Sequence, residues 1–164
     1  MKTRAQMEIS FGMIVSVVLI IAFLSVSFYA IGKFLEIQKT IQIGKFTDNL
    51  QFDIDKIWKS SQGSQEFSYS LPTRIQKVCL VDFRKPETGK DSGIYYDLKK
   101  SFYGSENLIF YPVGSGGGLD STILKHIELD KITEIQNPLC FENIGGKTNF
   151  TISMEFGENL AIIK

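Results

Sequence analysis

The sequence predicts an α+β protein, a long N-terminal helix followed by a small antiparallel β domain. Three observations lead there. No charged residue interrupts the apolar run from Ile9 to Ile31. Beyond it, apolar residues recur at steps of three and four from Ile43 to Ile57. After residue 64 the apolar period changes to two, the repeat of a strand with one buried face. The expected divisions are a basic leader at 1–5, an apolar helix half at 6–32, an amphipathic half at 33–60 and a β domain at 61–164.

The apolar run comes first. Its 23 residues rise about 35 Å as a helix at ~1.5 Å per residue, against a hydrocarbon core of ~30 Å. A helix is the form required there, because lipid offers no partner to backbone N–H and C=O groups. A secretory signal peptide cut near Ser25 or Ser27 is the competing reading. Its apolar region is normally ~7–15 residues long, and the longer run favours a retained anchor. Lys2 and Arg4 precede the span, with Glu8 beside them and Lys33 and Lys39 after it. The positive-inside rule then predicts a cytoplasmic N-terminus and an external C-terminal domain in a single-pass arrangement.

The amphipathic stripe is Ile43, Phe46, Leu50, Ile54 and Ile57, with Lys45, Asp48, Gln51, Asp53, Asp55 and Lys56 between. Pro72 is the first proline, so one helix from about Met7 to Trp58 is expected. SerSerGlnGlySer at 60–64 ends it, with Gly63 the candidate C-terminal cap.

In the remainder, Phe67, Tyr69 and Leu71 alternate with serines, and Cys79, Val81 and Phe83 with Leu80 and Asp82. The clearest strand is 149–156, with Phe150, Ile152, Met154 and Phe156 on one face and Asn149, Thr151, Ser153 and Glu155 on the other. Gly157-Glu158-Asn159 turns it back into Leu160–Ile163 as a hairpin. Tyr95–Leu98, Leu108–Val113, Ile123–Ile132 and Leu139–Ile144 complete the expected sheet.

Lys+Arg and Asp+Glu each total 18, so the net charge is zero, which argues against nucleic acid. The two cysteines, Cys79 and Cys140, suit a disulfide in an exported domain; two buried thiols are the other possibility. Asn149-Phe150-Thr151 is a glycosylation sequon and a sign of surface exposure. The GlySerGlyGlyGly run at 114–118 lacks the Lys-Ser/Thr pair of a phosphate loop and reads as a hairpin loop. His126, the sole histidine, has no HisXXXHis or CysXXCys neighbour and reads as an exposed strand residue. Asp48, Asp53 and Asp55 fit a solvated helix face. No catalytic, metal or cofactor signature stands out, so a protein that is not an enzyme is expected.

Residues 4–11, ArgAlaGlnMetGluIleSerPhe, carry the functional signal. A basic residue, a small residue and Gln6 stand directly before the apolar run. This resembles the prepilin-type signal of archaeal type IV pilins and pilin-like proteins. The resemblance implies cleavage between Ala5 and Gln6 by a prepilin-type peptidase on the cytoplasmic side, with the helix kept as an anchor. It implies a lipid-held subunit that later packs its helix against identical or related subunits. Glu8 would then face a neighbour's N-terminal amine, since a buried charge needs a partner, and Gly12, Ser16, Ser25 and Ser27 would allow close helix approach. The alternative is a non-assembling single-pass membrane protein whose external β domain binds or adheres.

Overall fold

The computed structural model describes residues 11–60 and 62–164. Helix α1 (Phe11–Lys59) is uninterrupted over 49 residues. No proline breaks its hydrogen-bond ladder. Gly32 and Gly44 are tolerated within it, each at a propensity cost of ~1 kcal/mol relative to alanine. The chain divides between Gln38 and Lys39 into two units.

In the first unit, every described residue from Phe11 to Gln38 is exposed. Eighteen of these side chains are large and apolar, from Phe11 to Ile37. Its serines and one ion pair are satisfied within the helix. The hydroxyls of Ser16, Ser25 and Ser27 each donate to the carbonyl four residues back, on Gly12, Ile21 and Phe23, at 2.8 Å. Lys33 and Glu36 pair at 3.3 Å.

The second unit begins where the apolar stripe narrows. Ile43, Phe46, Leu50, Ile54 and Ile57 are the buried residues of α1, and their spacing places them on one face. They meet an antiparallel three-stranded sheet and an antiparallel four-stranded sheet. The first sheet is ordered β1 (Gly63–Ser70), β6 (Lys147–Met154), β7 (Ile162–Ile163). The second is ordered β4 (Ser121–Thr122), β3 (Leu108–Tyr111), β2 (Lys77–Leu80), β5 (Leu139–Glu142). Phe46 is shared by the two. Its ring lies 5.4 Å from Tyr69 and 6.0 Å from Phe150 of the first sheet, and 5.7 Å from Phe110 of the second.

From Val78 onward β2 is buried on both faces, which explains the apolar run from Val78 to Val81. Val78 and Leu80 join the helix-side core, while Cys79 and Val81 join a second cluster with Tyr95, Leu98, Ile109 and Cys140. Tyr95 and Leu98 come from helix α2 (Ser92–Ser101). Peptide bonds Tyr111–Pro112 and Asn137–Pro138 are cis.

Several expectations need correction. Tyr95–Leu98 is helical rather than extended. The Tyr95–Tyr96 pair has high strand propensity, yet Tyr95 and Leu98 lie three apart and share the buried side of a helix. Ile123–Ile132 is not one strand. β4 stops at Thr122, and a single turn, α3 (Leu129–Ile132), ends the segment. Between them Leu124 gives its N–H to Asn107 Oδ1 (2.7 Å) and accepts from Asn107 Nδ2 (2.9 Å), so a side chain replaces the ladder.

Gly63 opens β1 instead of capping α1; the helix end is closed by Ser60, whose N–H and hydroxyl both donate to the Ile57 carbonyl. Strand β6 ends at Met154 rather than at 156, and Phe156 is 88% exposed. The expected terminal hairpin is present, with Ile152 opposite Ile163. The glycine run at 114–118 connects the paired strands β3 and β4. A Cβ on Gly116 would lie 2.5 Å from the Leu119 carbonyl oxygen, so that loop closes only with glycine there.

Candidate functional site

The residues predicted for processing and assembly, Ala5, Gln6 and Glu8, lie outside the described residues, as does the start of the expected helix at Met7. The part of the site that is described is the helix segment that follows them. α1 is long and apolar enough to cross a membrane, by length and composition. Gly12, Ser16, Ser25 and Ser27 sit on this exposed segment, and the three serine hydroxyls are bonded to helix carbonyls. Apart from the Tyr29 hydroxyl, the polar side chains on the stretch from Phe11 to Ile31 are bonded within the helix.

The cysteines form a disulfide. Cys79 and Cys140 face each other on neighbouring strands β2 and β5, with Cα atoms 4.0 Å apart. α2 covers the bridge, leaving Cys79 fully buried and Cys140 at 7% exposure. Asn149 stands exposed on β6 opposite Ser68 of β1.

Of the three helix carboxylates, only Asp48 matches the solvated face expected of it. Asp53 accepts from the Tyr69 hydroxyl at 2.7 Å. Burial of Tyr69, reinforced by that carboxylate, pushes its phenol well above the usual tyrosine range. Asp55 accepts from His126 Nδ1 at 2.8 Å and from Gln51 Nε2 at 2.7 Å. Burial pushes the Asp55 carboxyl up, but these hydrogen bonds outweigh it and hold the group below its ordinary value.

His126 is therefore not an exposed strand residue. It occupies a loop in a left-handed conformation (φ 61°), and its ring stacks on Trp58 at 3.8 Å with an interplanar angle of 1°. Trp58 Nε1 donates to the Asn159 carbonyl at 2.8 Å, and Gln51 exchanges bonds with the Lys125 backbone. Gln51, Asp55 and Trp58 thus tie two separate loops to the end of α1. Their three- and four-residue spacing marks one helix edge, but nothing local identifies the loop partners about seventy and a hundred residues away.

A second polar network secures the loop after β2. The carboxylate of Asp82, 2% exposed, accepts from Arg84 Nε at 2.9 Å and Nη2 at 2.8 Å. These bonds hold the Asp82 carboxyl below the usual range and raise Arg84. Asn137 closes the network, giving its Nδ2 to the Asp82 carbonyl and accepting the Asp82 N–H.

Among the described residues no group of three or more His, Cys, Asp or Glu side chains is arranged to hold a metal ion. The polar clusters are fastenings between elements, and among the described residues most of the exposed large apolar side chains lie on α1 between Phe11 and Ile37. No known protein family, curated protein or solved structure matches the chain.

Proposed function

We propose that this chain is a pilin-like subunit of an archaeal type IV pilus-related filament, anchored in the membrane through α1 before assembly. One observation carries the reading. The eighteen exposed large apolar side chains from Phe11 to Ile37 require a non-aqueous surrounding. Leaving such groups in water rather than burying them costs ~1.5–3 kcal/mol each. Lipid supplies that surrounding for a single copy, and helices of other copies supply it once lipid is left behind.

In this reading Lys2 and Arg4 hold the N-terminus in the cytoplasm and the cystine-bridged domain lies outside. A prepilin-type peptidase cuts between Ala5 and Gln6. The subunit then enters a bundle through one repeated heterologous contact, which generates an open helical assembly. Glu8 sets the register by pairing with a neighbour's new amine. The protein does no chemistry of its own.

The N-terminus of the membrane-purified protein tests this. Mass spectrometry is expected to find a chain beginning at Gln6. An intact Met1 would support the non-assembling single-pass alternative, and a start beyond residue 25 would mean a cleaved secretory signal. Ala5→Leu is expected to block processing and surface assembly together; unchanged size and assembly would sink the proposal.

A further inference from the structure

From the placement of the sequon we infer that Asn149 carries an N-linked glycan, which rests on the proposed external location of the β domain. Asparagine is a poor strand residue, yet Asn149 sits in the interior of β6. Asn107, Asn137 and Asn143 hold their positions through side-chain hydrogen bonds, to Leu124, to Asp82 and Pro86, and to Pro72 and Ile75, while Asn49 and Asn159 lie exposed on a helix face and in a bend, outside any strand. Asn149 makes no such bond among the described residues. A residue that breaks a local rule without a structural return marks a functional position.

The surroundings suit a glycan. Residues two apart in a strand share a face, so Asn149 and Thr151 stand together on the outer side of the sheet. Ser68 lies opposite Asn149 and Glu66 opposite Thr151, both exposed. The adjoining Ser64, Ser70 and Lys147 are exposed as well. No aromatic or long aliphatic side chain on β1 projects over the amide.

The donor is a lipid-linked oligosaccharide activated as a phosphate ester at its anomeric carbon. The anomeric C–O bond to phosphate breaks and the C–N bond to Asn149 Nδ2 forms. The lipid phosphate leaves, and the amide proton passes to a base of the transferase. Phe150 is 1% exposed, and the Thr151 backbone exchanges both hydrogen bonds with Lys164 at 2.8 Å. The acceptor sequence is thus locked once β6 is paired, and transfer precedes that step.

The experiment is glycopeptide mass spectrometry of the full chain from membranes of its native host. Trypsin releases Thr148–Lys164, a peptide with this sequon alone. Expected is an added oligosaccharide mass on Asn149, lost completely in Asn149→Gln and Thr151→Ala and kept in Thr151→Ser. In parallel, intact cells are treated with a membrane-impermeant amine reagent. Labelling of the exposed Lys90 with an unmodified Asn149 overturns the inference and leaves the external location standing. Absence of labelling removes the external location and the inference with it. A folded, unmodified chain presented to the same membranes is expected to stay unmodified; its modification would refute the stated order.

Discussion

Consider reduction of the Cys79–Cys140 bridge. The two residues are 61 apart in sequence, and the closed loop contains β3, β4, α2 and α3. Cross-linking such a loop removes chain entropy from the unfolded state, worth about 4 kcal/mol at 25 °C for that separation in the loop-closure relation. The folded state loses little in compensation, since both sulfurs stay packed beneath α2 beside Val81, Tyr95, Leu98 and Ile109. For a domain of this size each kcal/mol moves the thermal midpoint by roughly 4 °C. The detergent-solubilised full chain should therefore melt about 15 °C lower after reduction, followed by circular dichroism with and without a thiol reductant. The Cys79→Ala/Cys140→Ala chain should show a drop of similar size without reductant and no further drop with it. A fall below ~1 kcal/mol in the oxidised–reduced comparison would refute the account, because the unfolded chain would then gain nothing from release of that loop.

Other outcomes follow from particular contacts. Phe46→Ala, at a side chain 2% exposed and touching both sheets, should destabilise the domain by ~3–5 kcal/mol, measurable by urea unfolding in detergent. Asp82 is held below its ordinary value of 3.8, so its contribution is present above that pH and lost as pH falls through the depressed folded value. Asp82→Asn should flatten the decline in stability below about pH 4 in an acid titration. His126→Ala removes a partly exposed contact with Asp55 worth ~0–1 kcal/mol and an aromatic stack worth ~0.5–1.5 kcal/mol. A loss near 1 kcal/mol is expected, together with a change in the fluorescence of Trp58, the sole tryptophan.

The long helix, its buried stripe, the bridge and the terminal hairpin were legible because each follows from a local period or a residue count. Ile43 to Ile57 needs only its spacing, and β6 only its alternation. The misread segments are those where distant groups decide. Leu124 leaves the strand geometry because Asn107, the residue before β3, satisfies its backbone. α2 forms where two tyrosines favour extension, because Tyr95 and Leu98 gain a buried sheet face and the Tyr95 hydroxyl reaches the Lys85 carbonyl at 2.8 Å. The Trp58–His126 stack joins elements whose proximity no short window of sequence encodes. The candidate site was legible as the apolar segment of α1, whereas its chemical details, Ala5, Gln6 and Glu8, rest on the sequence alone.

The bridge also has a mechanical meaning. Any pull applied between the two ends of the chain reaches β2 and β5 at neighbouring positions that are covalently joined. Force can peel β1, β6 and β7 away, but the 61-residue interval cannot lengthen. At ~3.4 Å per extended residue, that withholds roughly 200 Å of contour. A domain stretched at the end of a tether would yield in its three-stranded sheet and stop, keeping β3, β4, α2 and α3 inside a closed ring.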